Sequence, residues 1–277
     1  MNRFQGIPGI SSQEQLREHV LAKGCYSPEE NLRIYNKWFT AKRPRDHLWR
    51  FLDEKFNVTK GTVCDVGCAY GMTLIDCPQG SYGIELEDYQ CEFARSIGLT
   101  VLQKDVIHGD WSDVHKVDTV WCAATLEHVD APHVFLRRLF YLLKPGGRII
   151  IEVPHSLPAA WMKHVPQLNY LYSDHDDHIN SFTATALERI MERAGFKQER
   201  SIRYSTPLVG RKVPVWLTGL PLVRTIADSQ VYVGRSIPDW EYPKKATRRA
   251  ADNPNGYVFR SMFADAATDK TKEAKED

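Results

Sequence analysis

The sequence has no surplus of either charge: 36 Lys and Arg stand against 35 Asp and Glu, a net charge of +1. Nothing global therefore draws it toward nucleic acid or an anionic membrane. Long apolar runs are also missing. The longest mostly apolar stretch, VPVWLTGLPLV at 213–223, is too short and too broken by Pro and Gly to span a bilayer. The opening MNRFQGIPGISSQEQ has no apolar core of the kind a secretory signal needs, so a cytoplasmic location is expected. No paired C-x-x-C occurs among the cysteines at 25, 64, 68, 77, 91 and 122, which argues against a structural zinc site and for buried free thiols. There is no internal repeat. A nicotinamide-type G-x-G-x-x-G is missing as well, because Ala69 and Met72 stand where it needs glycine.

What is present has the organisation of one large domain with appendages. Two helix starts open the chain, Ser11-x-x-Glu14 and Ser27-Pro28-Glu29-Glu30, both with capping-box spacing and the second with Pro at its first turn. Leu32, Tyr35, Trp38 and Phe39 then follow at helical spacing as a stripe for packing on the next domain, and a third helix is predicted over 46–55. From Gly61 short β-rich runs alternate with helical periods: strands at 62–66, 81–84, 100–102, 117–122 and 148–153, helices at 71–75, 89–97 and 131–143. Such alternation implies right-handed βαβ crossovers and an open, mostly parallel, doubly wound α/β sheet whose ligands sit at the carboxyl ends of the strands. A last helix is predicted over 184–194. An antiparallel strand should follow at 196–203, with another at 231–234 or 257–263. The expected division is an N-terminal helical cap at 1–58, a core at 59–205 containing an acceptor-side insertion at 155–182, an extension at 206–263 and a disordered tail at 264–277.

The strongest motif is VCDVGCAYG, 63–71, followed by Gly83-Ile84-Glu85. A strand runs into Gly67, turns tightly and enters a predicted helix near Gly71. Small residues at 67, 69 and 71 let backbone approach a ligand, and a helix N-terminus there favours a carboxylate or phosphate. Glu85, at the end of the next strand, can accept bonds from both hydroxyls of a ribose.

The spacing D-x-G-x-A-x-G resembles the first motif of class I, Rossmann-like S-adenosylmethionine-dependent methyltransferases, with Ala69 in place of the middle glycine. The likeness continues through Lys104-Asp105-Val106 and through Leu126-Glu127-His128-Val129, similar to the "leHv" signature of the small-molecule branch. It extends to Leu143-Lys144-Pro145-Gly146-Gly147 before strand five. The resemblance implies S-adenosylmethionine as cofactor and S-adenosylhomocysteine as product. It implies that Asp65, Gly67, Cys68, Ala69, Tyr70 and Gly71 line the amino-acid end. Glu85 would then hold the ribose, Leu86 pack on the adenine, Asp105 and Val106 read the adenine edge, and Ala123 and Leu126 close the floor.

On the acceptor side, methyl transfer to a hydroxyl needs alignment and a proton acceptor, a task that suits imidazole. His128, His155, His175 and His178 are the candidates at the rim, with His128, His155 and His178 preferred. His178 lies in SDHDDHIN, 173–180, where Asp177-His178, Phe182, Leu187 and Ala194-Gly195-Phe196 resemble a segment of the same branch. Asp174, His175 and Asp176 fall outside that pattern and read as loop surface. Asp174, His175, Asp176 and His178 are ligand types that could bind a divalent ion, as in catechol-type O-methyltransferases; those enzymes, however, take acids and amides from the ends of strands four and five, where Ala123 and Ala124 stand here, so no metal is expected. The acceptor implied is a small molecule, a sugar, glycolipid or similar metabolite, and not nucleic acid. Residues 211–226 are apolar with basic ends and suit core or homodimer packing, or peripheral docking on a membrane that carries a lipid- or quinone-type acceptor. A non-catalytic S-adenosylmethionine-binding subunit is the other rival.

Overall fold

The computed structural model describes residues 3–40, 44–112, 114–154, 178–204 and 229–240. Two compact units divide the chain, Met1–Pro238 and Asp239–Asp277, and the architecture below is that of the first. His155, the loop before His178 and the run 211–226 lie outside the described residues.

Seven strands form one sheet: β1 Val63–Val66, β2 Tyr82–Glu85, β3 Val101–Gln103, β4 Val117–Ala123, β5 Leu143–Pro154, β6 Phe196–Tyr204 and β7 Ser229–Ser236. Their order is β3-β2-β1-β4-β5-β7-β6. The first five pair in parallel, as their almost fully buried runs require of a sheet covered on both faces. β7 is the antiparallel strand, wedged between β5 and β6. β6 pairs antiparallel with β7 for that reason alone, and itself runs in the same direction as β1 to β5.

The helices are α1 Gln13–Lys23, α2 Pro28–Ile34, α3 Pro44–Phe56, α4 Asp88–Ser96, α5 Pro132–Leu142 and α6 Ala184–Arg193. Ser27 caps α2 by accepting from the Glu30 N–H at 3.2 Å, as its spacing foretells. The first cap falls one residue later than expected: Ser12 Oγ accepts from Gln15 N–H, while Gln15 Oε1 accepts from the Ser11 N–H at 2.9 Å. With Ser12 as the cap, Gln15 rather than Glu14 stands at the third helical position that the box uses. After α2 the chain widens into one π turn, Tyr35–Phe39.

The predicted helix over 71–75 does not form. The chain makes turns from Ala69 and one 3-10 turn, Leu74–Asp76, before reaching β2. The N-terminal segment fills the space instead. Phe4, Ile7, Leu16, Val20, Ile34, Tyr35 and Phe39 pack with Tyr70, Leu74, Cys91, Phe93 and Leu99 in one buried cluster. Elsewhere α5 and α6 cover one face of the sheet, through Leu136, Leu139, Leu187 and Met191. On the opposite face α3 places Leu48, Trp49 and Leu52 against Trp121 and Ile150, with Trp49 edge-on to Trp121 at 5.4 Å. Five of the six cysteines are buried free thiols as expected, and Cys25 is exposed.

Candidate active site

The carboxyl ends of β1, β2, β3 and β4 converge on one edge, because strands that pair in parallel all finish on the same side. From β1 the chain enters a turn in which Gly67, Ala69 and Gly71 all have positive φ, at 72°, 47° and 81°. Left-handed backbone is strained for a residue with a Cβ, so Ala69 carries a cost that glycine would not. Ala69→Gly is expected to raise stability by about 0.5–1 kcal/mol, read as a higher urea midpoint at unchanged slope.

Close packing by protein dictates glycine at position 67. A Cβ there would lie 2.2 Å from Thr125 Oγ1, whose hydroxyl donates toward the Val66 and Ala123 carbonyls at 3.3 and 3.2 Å. The turn is thus locked onto the end of β4. The Cys68 and Tyr70 side chains point into the N-terminal cluster, where Tyr70 meets Trp38 at 5.5 Å and Phe93 at 5.4 Å. Asp65 is buried on β1, and Ala123 and Leu126 are buried at the end of β4.

At the tip of β2, Glu85 Oε2 accepts from the Ala69 N–H at 2.8 Å. Its Oε1 accepts from Leu86 N–H at 2.7 Å and Glu87 N–H at 3.1 Å. The carboxylate therefore ties the first turn to the second. A carboxylate offers about four acceptor positions, so room remains on Oε2. Leu86 beside it is 62 % exposed, an uncovered apolar face. At the tip of β3, Asp105 accepts from the Ile107 and His108 N–H groups at 2.7 and 3.2 Å and meets His108 Nδ1 at 3.0 Å. The His108 bond, with those backbone donors, outweighs partial burial and holds the Asp105 carboxyl below its usual range.

Beyond β4 lies a second group. Glu127 and His128, in the 3-10 turn Leu126–His128, come together with His178 so that their donor atoms all lie within 4.8 Å of one another. The two imidazoles meet edge to face at 4.7 Å. Main-chain bonds hold the two segments in register, with Ile179 N–H and Asn180 N–H both donating to the Glu127 carbonyl at 3.0 and 2.9 Å. Asn180 Nδ2 adds a bond to the Val129 carbonyl at 2.6 Å. Sequence reasoning named both histidines but left out Asn180. Its signal was an amide side chain two residues beyond a rim histidine, a common loop-bracing device.

A family model described as "Methyltransferase domain" matches residues 35–200, more than half of the chain. The chain belongs to this methyltransferase family. Its sheet order and helices are those of the class I, S-adenosylmethionine-dependent methyltransferases. A "Ubiquinone biosynthesis O-methyltransferase" of Xanthomonas euvesicatoria pv. vesicatoria (strain 85-10) is 25 % identical over 154 residues, covering 50 % of this chain and 64 % of that protein. The match thus spans less than two thirds of the relative. An S-adenosylmethionine-dependent methyltransferase from Archaeoglobus fulgidus has a similar fold, with a TM-score of 0.53 at 17 % identity over 74 % of this chain and 98 % of that one. The magnesium protoporphyrin IX methyltransferase of Synechocystis PCC 6803, solved with S-adenosylhomocysteine bound, superposes with a TM-score of 0.50 at 16 % identity, over 81 % and 100 % of the two chains.

The residues of this methyltransferase fit its cofactor, S-adenosylmethionine. A half-buried acid, an uncovered leucine and a second acid stand at the tips of β2 and β3, the chemistry needed for a ribose, a flat base and an exocyclic amine. Among the described residues no helix is long and apolar enough to cross a membrane.

Proposed function

We propose that the protein transfers a methyl group from S-adenosylmethionine to an oxygen of a small-molecule acceptor seated over the ends of β4 and β5. When bound, that cofactor supplies a methyl already activated on a sulfonium. In this reading Glu85 accepts from the ribose hydroxyls, Leu86 packs on the base, and Asp105 with the Val106 N–H reads its edge. Asp65 and the backbone of the turn at Gly67, Ala69 and Gly71 hold the amino-acid end. His128 and His178 contact the acceptor hydroxyl and orient it toward the methyl, which is the greater part of the task.

The observation that carries the reading is the Glu127, His128 and His178 group at the end of β4, beside the turn that begins at Gly67 and on the ligand-binding edge of the sheet. The relatives named as O-methyltransferases support oxygen as the receiving atom. Those names also favour a hydroxylated aromatic acceptor as a second reading beside the sugar or glycolipid that the family segment at 177–196 suggests. Methyl transfer from labelled S-adenosylmethionine is to be screened against nucleotide sugars, glycolipids and catechol-type phenols. Label in an O-methyl product supports the proposal and selects between the two acceptor classes. Label only in N-methylated products of matched amines contradicts it.

A further inference from the structure

We propose that Glu127, His128 and His178 form a binding site for one divalent cation of the zinc, cobalt or manganese type. The cation-binding step stands on these three residues alone; its role, activating an acceptor hydroxyl, rests on the methyl-transfer reading above. From the sequence a metal is considered only for the loop of Asp174, His175, Asp176 and His178, and is disfavoured because Ala123 and Ala124 replace the acids of the catechol-type pattern. Folding brings together a different set.

The donor chemistry is the first argument. One carboxylate and two imidazoles suit borderline divalent ions, which take nitrogen and oxygen together, better than magnesium or calcium, which prefer oxygen. Spacing is the second. His128 Nε2 and Glu127 Oε1 stand 4.0 Å apart, longer than a hydrogen bond. Two donors on one such ion, each at about 2.0–2.2 Å, fall roughly 3–3.6 Å apart, so the 4.0 Å separation needs to close by only about half an ångström to share a cation. His178, half-buried beside the exposed His128, supplies the third donor within 4.8 Å of the other two.

Burial is the third argument. Glu127 is only 1 % exposed. At that depth little water screens the carboxylate, so its attraction for a cation placed beside it is strong. Rigidity is the fourth. The bonds from Ile179, Asn180 and the Asn180 side chain fix the His178 segment against the Glu127 turn, so the ligand set is positioned by main chain.

Three protein ligands leave coordination positions open, the arrangement of sites that act on a bound molecule. An acceptor hydroxyl at an open position becomes more acidic and gives its proton to solvent water. Its oxygen then forms the new C–O bond as the S–CH3 bond breaks, and that bond's electron pair stays on sulfur, leaving a neutral thioether. In this scheme the imidazoles serve as ligands.

The test uses cobalt(II) as a spectroscopic probe on the full chain carrying Cys25→Ser, so that the exposed thiol does not contribute. The expected result is one bound equivalent with visible d–d absorption, displaced by zinc. The His128→Gln/His178→Gln double variant should lose that band while still binding S-adenosylmethionine in calorimetry. Glu127→Gln should lose it too, and the double variant keeps the test valid if burial of the altered Glu127 impairs folding. An undiminished band in the double variant, or no cobalt or zinc bound by the parent protein, overturns the proposal. A parent that binds cobalt at these residues but no S-adenosylmethionine leaves the cation site standing and removes the methyl-transfer reading instead.

Discussion

Gly67→Ala is expected to cost about 2–4 kcal/mol of stability, through two separable effects. The first is conformational: position 67 has φ of 72°, a left-handed setting that costs a residue with a Cβ roughly 1–2 kcal/mol. The second is steric. The added carbon would lie 2.2 Å from Thr125 Oγ1, so the threonine must move and give up its contacts to the Val66 and Ala123 carbonyls. For a domain of this size the melting temperature should fall by roughly 5–15 °C. Adding Thr125→Ala removes the obstructing atoms but not the backbone strain. The double variant should therefore recover about half of the loss, a coupling that a purely conformational effect would not show. Additive losses would mean that the turn does not seat on Thr125 as described.

Glu85→Ala should weaken S-adenosylmethionine binding by about 1–3 kcal/mol, roughly 5- to 150-fold. Glu85 has two tasks. Its oxygens collect the N–H groups of Ala69, Leu86 and Glu87, which ties the two turns together. The same carboxylate keeps acceptor capacity for a ribose. Glu85→Gln is the milder change: its amide oxygen can keep the Leu86 and Glu87 N–H groups, while its nitrogen then faces the Ala69 N–H and cannot accept from it or from a ribose hydroxyl. That variant should lose part of the stability and a large share of the affinity, both less than Glu85→Ala. Equal affinity for wild type and both variants would place the ribose elsewhere.

Much of the sheet was legible because each strand is short, apolar and bounded by turn residues. β1, β2, β3 and β4 lie within one residue of their expected limits at every end. β5 starts earlier than expected, since Leu143 pairs with Val117 before the bend at Gly146. The helix predicted over 71–75 failed for a physical reason. Three left-handed residues in alternation, 67, 69 and 71, keep the backbone turning, and the N-terminal segment already supplies the apolar cover a helix would give. Periodicity within 71–75 carries no trace of partners more than thirty residues away.

The glycine motif lies at the carboxyl edge of the parallel strands, and its glycine at 67 is required by the close approach of Thr125. The site's other half was only partly readable. Local pattern picks out the neighbours Glu127 and His128, and His178 separately. The arrival of His178 beside that pair depends on two N–H groups reaching one carbonyl across the fold, and no local spacing encodes that. His155 belongs to residues outside the described set, and its role as a base stays a proposal.

The most direct test of the central claim is calorimetry of the wild-type chain with S-adenosylmethionine and S-adenosylhomocysteine. The account predicts saturable one-to-one binding of both ligands, weakened by Glu85→Ala. Heat indistinguishable from dilution with either ligand, from a folded sample, would contradict it.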